Sequence, residues 1–156
     1  MKKVLSCGAT VAFATAVAAA SFAVAKAADT APKITLAEKV EWTPMIPEMG
    51  TKGPAFSVVF GKPGEIGQPF GGLFKVPAGG ESPSHTHTSD YWAVMVSGAE
   101  SAREAANDTA SPIPPGSWWF QPGKAPHVNK CMGPEECVFF VYYPNGMDYI
   151  PDGATK

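Results

Sequence analysis

Over residues 85–98, HTHTSDYWAVMVSG, the chain alternates with a period of two. On an extended strand His85, His87, Ser89, Tyr91, Ala93 and Met95 share one face, and Asp90, Trp92, Val94 and Val96 share the other. Both faces are apolar beyond residue 90, which predicts a strand with an interior on one side and a packed layer on the other. Similar short runs rich in aromatic and β-branched residues recur: part of KITLAEKVEWTPM, then AFSVVFG, FGGLFKVP, GSWWFQP, APHVNKC and CVFFVYYP. Between them stand GKPGEIGQP, PAGGESPS, SPIPPG and MGPEE, which draw on the chain's 16 glycines and 16 prolines. Strands punctuated this regularly predict an all-β sandwich or small barrel. SGAESAREAANDTASPI fits a helix by its alanines and charges, and equally a strand with its connecting loop. No internal repeat or linker marks a second domain.

The first 27 residues read differently. Lys2 and Lys3 precede a long alanine-rich apolar stretch that closes on Ala25-Lys26-Ala27. A basic start, an apolar middle and an A-x-A end predict a cleaved secretory signal peptide over 1–27 and a single domain over 28–156. Alanine in place of leucine or isoleucine argues against a retained anchor, and Cys7 lies too early to be a lipid-modified cysteine. The expected location is periplasmic or secreted, with no stable membrane anchor after cleavage. Lys2, Lys3 and Lys26 leave with the signal, so nine of the 12 basic side chains would face 14 acidic ones. That acidic balance argues against nucleic acid as a partner.

An oxidising compartment changes the reading of Cys131 and Cys137, which bracket the turn CMGPEEC. Zinc pairs are usually closer together and accompanied by further ligands, so a disulfide is the expected outcome.

All three histidines of the chain, His85, His87 and His127, fall in two related settings. The first is Gly79, five residues, His85-Thr86-His87, three residues to Tyr91 and six more to Gly98. The second is Gly116, five residues, Pro122, and then His127, with Lys124 after Gly123 and with Asn129 and Cys131 following. These stretches resemble the two motifs of the cupin superfamily. The family has a glutamate where this chain has Tyr91, a glycine where it has Lys124, and an asparagine where it has Cys131. The resemblance spans about residues 55–145. It implies a double-stranded β-helix, or jelly-roll barrel, holding one divalent transition metal (iron, zinc, copper or manganese) on His85, His87 and His127.

Spacing supports the same chemistry. H-x-H places two imidazoles side by side, a third from a facing strand completes a triangle, and three protein ligands leave coordination positions open. Tyr91 points with the histidines. Its phenol is expected to bond a water on the metal, to pack, or to ligate, in that order, because a phenol ionises reluctantly. Asp90 and Glu81 are the carboxylates that would enter the shell if a bulge or loop brought them in. One of the adjacent Trp118 and Trp119 should line the interior with Met95 and Tyr91, beside a small-molecule ligand.

By resemblance, a face of histidines without the carboxylate implies a dioxygenase-type enzyme. A lost carboxylate also fits a periplasmic module that binds a ligand or metal without turnover. Outside the cytoplasm the affinity order favours copper and zinc over iron and manganese. Cupins commonly pair, which implies a homodimer, and APKITLAEKVEWTPM is the segment expected to add to a partner's sheet or to the chain's own. Neither a nucleophile elbow nor a phosphate loop is present, and GKPGEIGQPFGG is a turn.

Overall fold

The computed structural model describes residues 31–103 and 111–153. The described residues from Thr35 onward form one compact unit. The expected signal peptide, Cys7 and the middle of SGAESAREAANDTASPI lie outside the described residues. No helix among the described residues is long and apolar enough to cross a membrane.

Among the described residues, ten strands account for most of the regular structure: β1 Thr43–Pro44, β2 Ala55–Phe60, β3 Phe70–Val76, β4 His85–Thr86, β5 Tyr91–Ser97, β6 Glu100–Arg103, β7 Trp118–Gln121, β8 Val128–Cys131, β9 Cys137–Tyr143 and β10 Ile150–Pro151. Six of them form one antiparallel sheet in the order β1-β2-β3-β9-β5-β7. Two short ladders, β10-β4 and β6-β8, form the remaining sheet structure. Bridges His85↔His127 and Glu81↔Lys130 join these ladders into a second wall. Neighbours in the large sheet are mostly distant in sequence, as in a jelly roll, and the fold is all-β.

The interior lies where the alternation placed it. His85, His87, Ser89, Tyr91, Ala93 and Met95 are all buried, while Asp90, Trp92, Val94 and Val96 are exposed. The core joins Tyr91, Ala93 and Met95 to Phe70, Trp119, Phe139, Val141 and Tyr143. A stack of rings, Phe56 on Phe74 on Phe139, runs across its floor.

Two expectations are corrected. The H-x-H segment and β5 are two strands rather than one: β4 pairs with β10 in the small wall, and the chain bends at residues 88–89 before joining the large sheet. Alternation survives the bend, so the same side chains still face inward. The predicted packed layer outside β5 is absent among the described residues, and Trp92, Val94 and Val96 face solvent. Of the two sheets open to APKITLAEKVEWTPM, it joins the chain's own: its part Thr43–Pro44 is β1, paired with β2. The ambiguous segment after Gly98 begins as a strand, β6, against β8.

Cys131 and Cys137 are joined, with Cα atoms 5.7 Å apart, and both are fully buried. They tie the end of β8 in one wall to the start of β9 in the other. The motif glycines Gly79, Gly98 and Gly116 all have positive φ. Lys124, at the position where the family motif has glycine, has φ 64° and is the only non-glycine with positive φ among the described residues. A side chain in that region crowds its own carbonyl.

Two stability measurements follow. Replacing both Cys131 and Cys137 by alanine should lower the unfolding free energy by about 2 kcal/mol in a denaturant titration, as loop entropy predicts for so short a loop. Lys124→Gly should raise it by up to about 1 kcal/mol, because relief of left-handed strain exceeds the added chain entropy. An unchanged or lower midpoint would show that the lysine side chain compensates for its backbone.

Candidate metal centre

His85 and His127 meet because β4 and β8 run antiparallel at that point. Each donates its backbone N–H to the other's carbonyl, at 3.1 Å and 2.9 Å. A residue pair that exchanges both bonds sits directly opposite, with side chains on one face. His87 follows two positions after His85 on the same face, and its carbonyl accepts the Lys124 N–H at 2.7 Å. That bond fixes the turn leading into His127. The strained turn at Lys124 is therefore part of what brings the third histidine home.

The three rings lie 4.2–5.1 Å apart by centroid. Each offers a nitrogen within 4.8 Å of the others, a group that could hold a metal ion. Their Nδ1 atoms all face main-chain carbonyls: His85 toward Pro83 at 2.9 Å, His127 toward Ala125 at 3.1 Å, and His87 toward Asp148. A carbonyl can only accept, so each Nδ1 carries the proton and each Nε2 is left with a bare lone pair. Asp148 is itself anchored, its carboxylate accepting from the Thr88 N–H at 2.8 Å and the Thr88 hydroxyl at 2.5 Å. Burial lowers the pKa of all three rings, to about 4 for His87 and His127. The imidazoles are neutral at physiological pH, the form in which they act as ligands.

Two phenols reach the same point. Tyr91 Oη lies 3.4 Å from His127 Nε2, and Tyr143 Oη lies 3.4 Å from His87 Nε2. Both are buried, which pushes their pKa up and keeps them protonated. Tyr91 therefore faces the histidines, as the alternation predicts, with its hydroxyl beside the His127 ring. Tyr149 stacks on His85 at 4.4 Å and is partly exposed, so it forms the outer rim.

Neither candidate carboxylate joins the histidines. Asp90 is exposed and accepts the Gly123 N–H at 2.7 Å, capping a turn on the far side of the strand. No bulge reverses it. Glu81 pairs with Lys130 at 3.0 Å, on the bridge between the small ladders. Trp119 is the inward tryptophan, with Met95 and Tyr91 beside it, and Trp118 is the outward one.

A carboxyl that the sequence reading did not single out does lie inside. Glu100, at the start of β6, is fully buried, and its Oε1 accepts from Asn129 Nδ2 at 2.7 Å. Its Oε2 has no partner, nor has the nearby buried Trp119 Nε1. Burial raises its pKa to about 8, with the Asn129 bond opposing the shift. Glu100 is therefore a neutral acid at pH 7, close enough to influence Tyr91 electrostatically. Tyr143, Tyr149 and Glu100 carried no sequence signal. Each belongs to the site through strand register or a long loop, and none through motif spacing.

The buried acid makes a testable pH signature. Its folded pKa lies above the unfolded value, so between about 4.5 and about 8 the folded state binds a proton that the unfolded chain has released. Below about 6.5 the three histidines, whose folded pKa is lowered, oppose this, so stability should fall with rising pH only between about 6.5 and about 8, by up to about 1.4 kcal/mol per unit, and level off above it. Glu100→Gln should flatten that slope in denaturant titrations at successive pH values. A slope unchanged in the variant would assign the effect to other groups.

No protein-family model matches the chain, and no curated protein is similar to it in sequence. Solved structures do share its fold. The polyketide cyclase RemF from Streptomyces resistomycificus superposes with a TM-score of 0.62 at 18% identity, over 81% of this chain and 89% of that one. An RmlC-like cupin from Shewanella frigidimarina gives 0.57 at 13% identity, over 76% and 95%. The DMSP lyase DddQ from Ruegeria pomeroyi gives 0.57 at 14%, over 72% and 61%. At such identities the likeness is one of fold, and the fold is that of the cupins.

Proposed function

We propose that this chain of cupin fold holds one divalent transition metal on the Nε2 atoms of His85, His87 and His127 and acts as an enzyme on a small molecule bound there. The observation that carries the reading is the triple Nδ1 anchoring. Three neutral rings, each locked by a backbone carbonyl, leave three lone pairs converging in a buried space. Two of the three pairs meet only the long approaches of the Tyr91 and Tyr143 hydroxyls, 3.4 Å away.

When bound, the metal supplies a Lewis acid with open positions and, if redox-active, the capacity for oxygen chemistry. The chain's own residues do the rest. Tyr91 and Tyr143 are neutral O–H donors beside His127 Nε2 and His87 Nε2, and would hold developing negative charge on a bound small molecule by hydrogen bonding. Glu100 stands behind Tyr91 as a buried carboxyl. Ring closure and elimination, the reaction classes that the names of two similar structures suggest, need a polarised oxygen and a proton donor or acceptor. The residues here supply the proton donor, and that supports a non-redox reaction alongside the dioxygenase type. Donors placed for proton transfer favour turnover over a storage or sensing role, which needs none. The buried disulfide supports export to an oxidising compartment.

Metal titration tests the reading. The chain should bind one equivalent of Co²⁺, with the visible bands of a low-coordinate site. His85→Ala/His127→Ala should lose more affinity than the ~10–100-fold typical of an outer-shell substitution. Tyr91→Phe and Tyr143→Phe should keep the metal and shift its spectrum. Folded wild-type protein that takes up no divalent metal would end the proposal. Metal binding with spectra indifferent to both tyrosines would remove their role.

A further inference from the structure

Three neutral imidazoles bring no negative charge to a divalent ion. Asp148 and Asp152 act on the rings electrostatically, but Asp148 is only half-buried and Asp152 is exposed, so water screens both. Inside, the described residues hold a single buried acid, Glu100.

Strand register brings that acid toward the histidines. β6 pairs with β8 so that Glu100 stands opposite Cys131 and Ala102 opposite Asn129. Along β8, His127, Asn129 and Cys131 alternate onto one inner face. The Glu100 carboxyl reaches back along β8 to Asn129, whose Nδ2 donates to Oε1 at 2.7 Å. It therefore lies one inward position from His127, about 7 Å along the strand. Tyr91 spans the remaining gap: its hydroxyl is 3.4 Å from His127 Nε2 and feels charge on Glu100.

The neighbours of this carboxyl suit its ionised form. Asn129 offers an N–H, and Trp119 Nε1, which also acts on the Tyr91 hydroxyl, can only donate and has no partner. A carboxylate accepts from such groups. A neutral acid carries an O–H of its own, and Oε2 has no partner within bonding distance. Burial is what keeps the acid neutral, with the Asn129 bond opposing it. Among the described residues no charged side chain faces it. Tyr91 approaches from β5, Trp119 beside Tyr91 from β7, Asn129 and the disulfide-bonded Cys131 from β8, and the Ile113 main chain through a bridge. The pocket thus holds donors for a carboxylate and lacks a positive charge.

We propose that Glu100 is the counter-charge of the metal centre, giving up its proton when a divalent cation binds His85, His87 and His127. The inference rests on that centre and adds a residue to it. The proton leaves to solvent, the carboxylate keeps the Asn129 bond, and Oε2 becomes free to accept the Trp119 N–H. Two positive charges on the order of 10 Å from a carboxylate attract it by several times the thermal energy, even at an effective dielectric constant of about 20. Tyr91 then fills the place of the motif carboxylate, and Glu100 carries its charge.

Proton counting during metal uptake tests it. Co²⁺ is added to the full chain at pH 7 without buffer, and the base needed to hold the pH measures the protons released. The wild type should release about one proton more per bound Co²⁺ than Glu100→Gln, whose amide oxygen still accepts from Asn129 but which cannot ionise. That excess should fade by about pH 9, where the carboxyl is ionised before the ion arrives. At pH 7 the variant should bind Co²⁺ ~10–100-fold more weakly. If the variant does not fold, the infrared carbonyl band of a protonated carboxyl in the wild type serves instead, and it should disappear as Co²⁺ binds. Equal release from both proteins comes from a bound water or from Tyr91 and overturns the inference, as does a carbonyl band that persists. A wild type that binds no Co²⁺ removes the metal centre and this inference with it. Binding without excess release removes the inference alone.

Discussion

A histidine whose Nδ1 proton is committed to a main-chain carbonyl has one nitrogen left to offer and one orientation in which to offer it. This chain makes that commitment three times, and much of the surrounding structure serves to hold the carbonyls. Pro83 and Ala125 each lie two residues before the ring they orient, so those bonds are local turns. The third is not local, because Asp148 reaches His87 from beyond β9 and is itself held by Thr88. Closing the loop after Tyr143 back over the small wall is therefore part of building the site. The β4–β10 ladder, with Pro151 opposite His85, performs that closure.

This division explains how much could be read in advance. The strands came from alternation and turn chemistry, and the inward set at 85, 87, 89, 91, 93 and 95 came from period two alone. His85, His87 and His127 were legible because two motifs placed them in register. The disulfide was legible because only two cysteines bracketed a turn. Tyr143 was not: CVFFVYYP has tyrosine on both faces, and only the pairing of β9 between β3 and β5 decides which one looks inward. Glu100 was hidden for a related reason. A charged residue just after a positive-φ glycine reads as a solvated turn, and its burial comes from β6 docking on β8, a contact between segments about 30 residues apart.

The predicted outer layer failed for a more instructive reason. Apolar residues on both faces of β5 were read as a strand buried on both sides within one chain. Its outer face is apolar but has no cover among the described residues. Periodicity reports that a face must be dry and is silent on what dries it.

Interior and exterior have in fact exchanged part of their usual chemistry. Three histidines, Glu100, Ser89, Ser101 and Gln121 are buried, while Trp92, Val94, Trp118 and Phe120 are out. Polar groups inside cost solvation that is only partly recovered: Glu100 stays neutral, and three buried polar atoms have no partner. Such an interior leaves hydrophobic burial to the core around Phe70, Met95, Trp119, Phe139 and Val141 and to the rings packed against it. The two faces also share backbones. Tyr91 and Trp92 are adjacent on β5, as are Tyr143 and Tyr142 on β9, so each phenol at the histidines has an outward ring as its neighbour. Packing of Trp92 against Tyr142 restrains the same strands that set the reach of Tyr91 to His127 and of Tyr143 to His87. A packed outer face and a well-placed pair of phenols are then one structural requirement, met on the two sides of a single sheet.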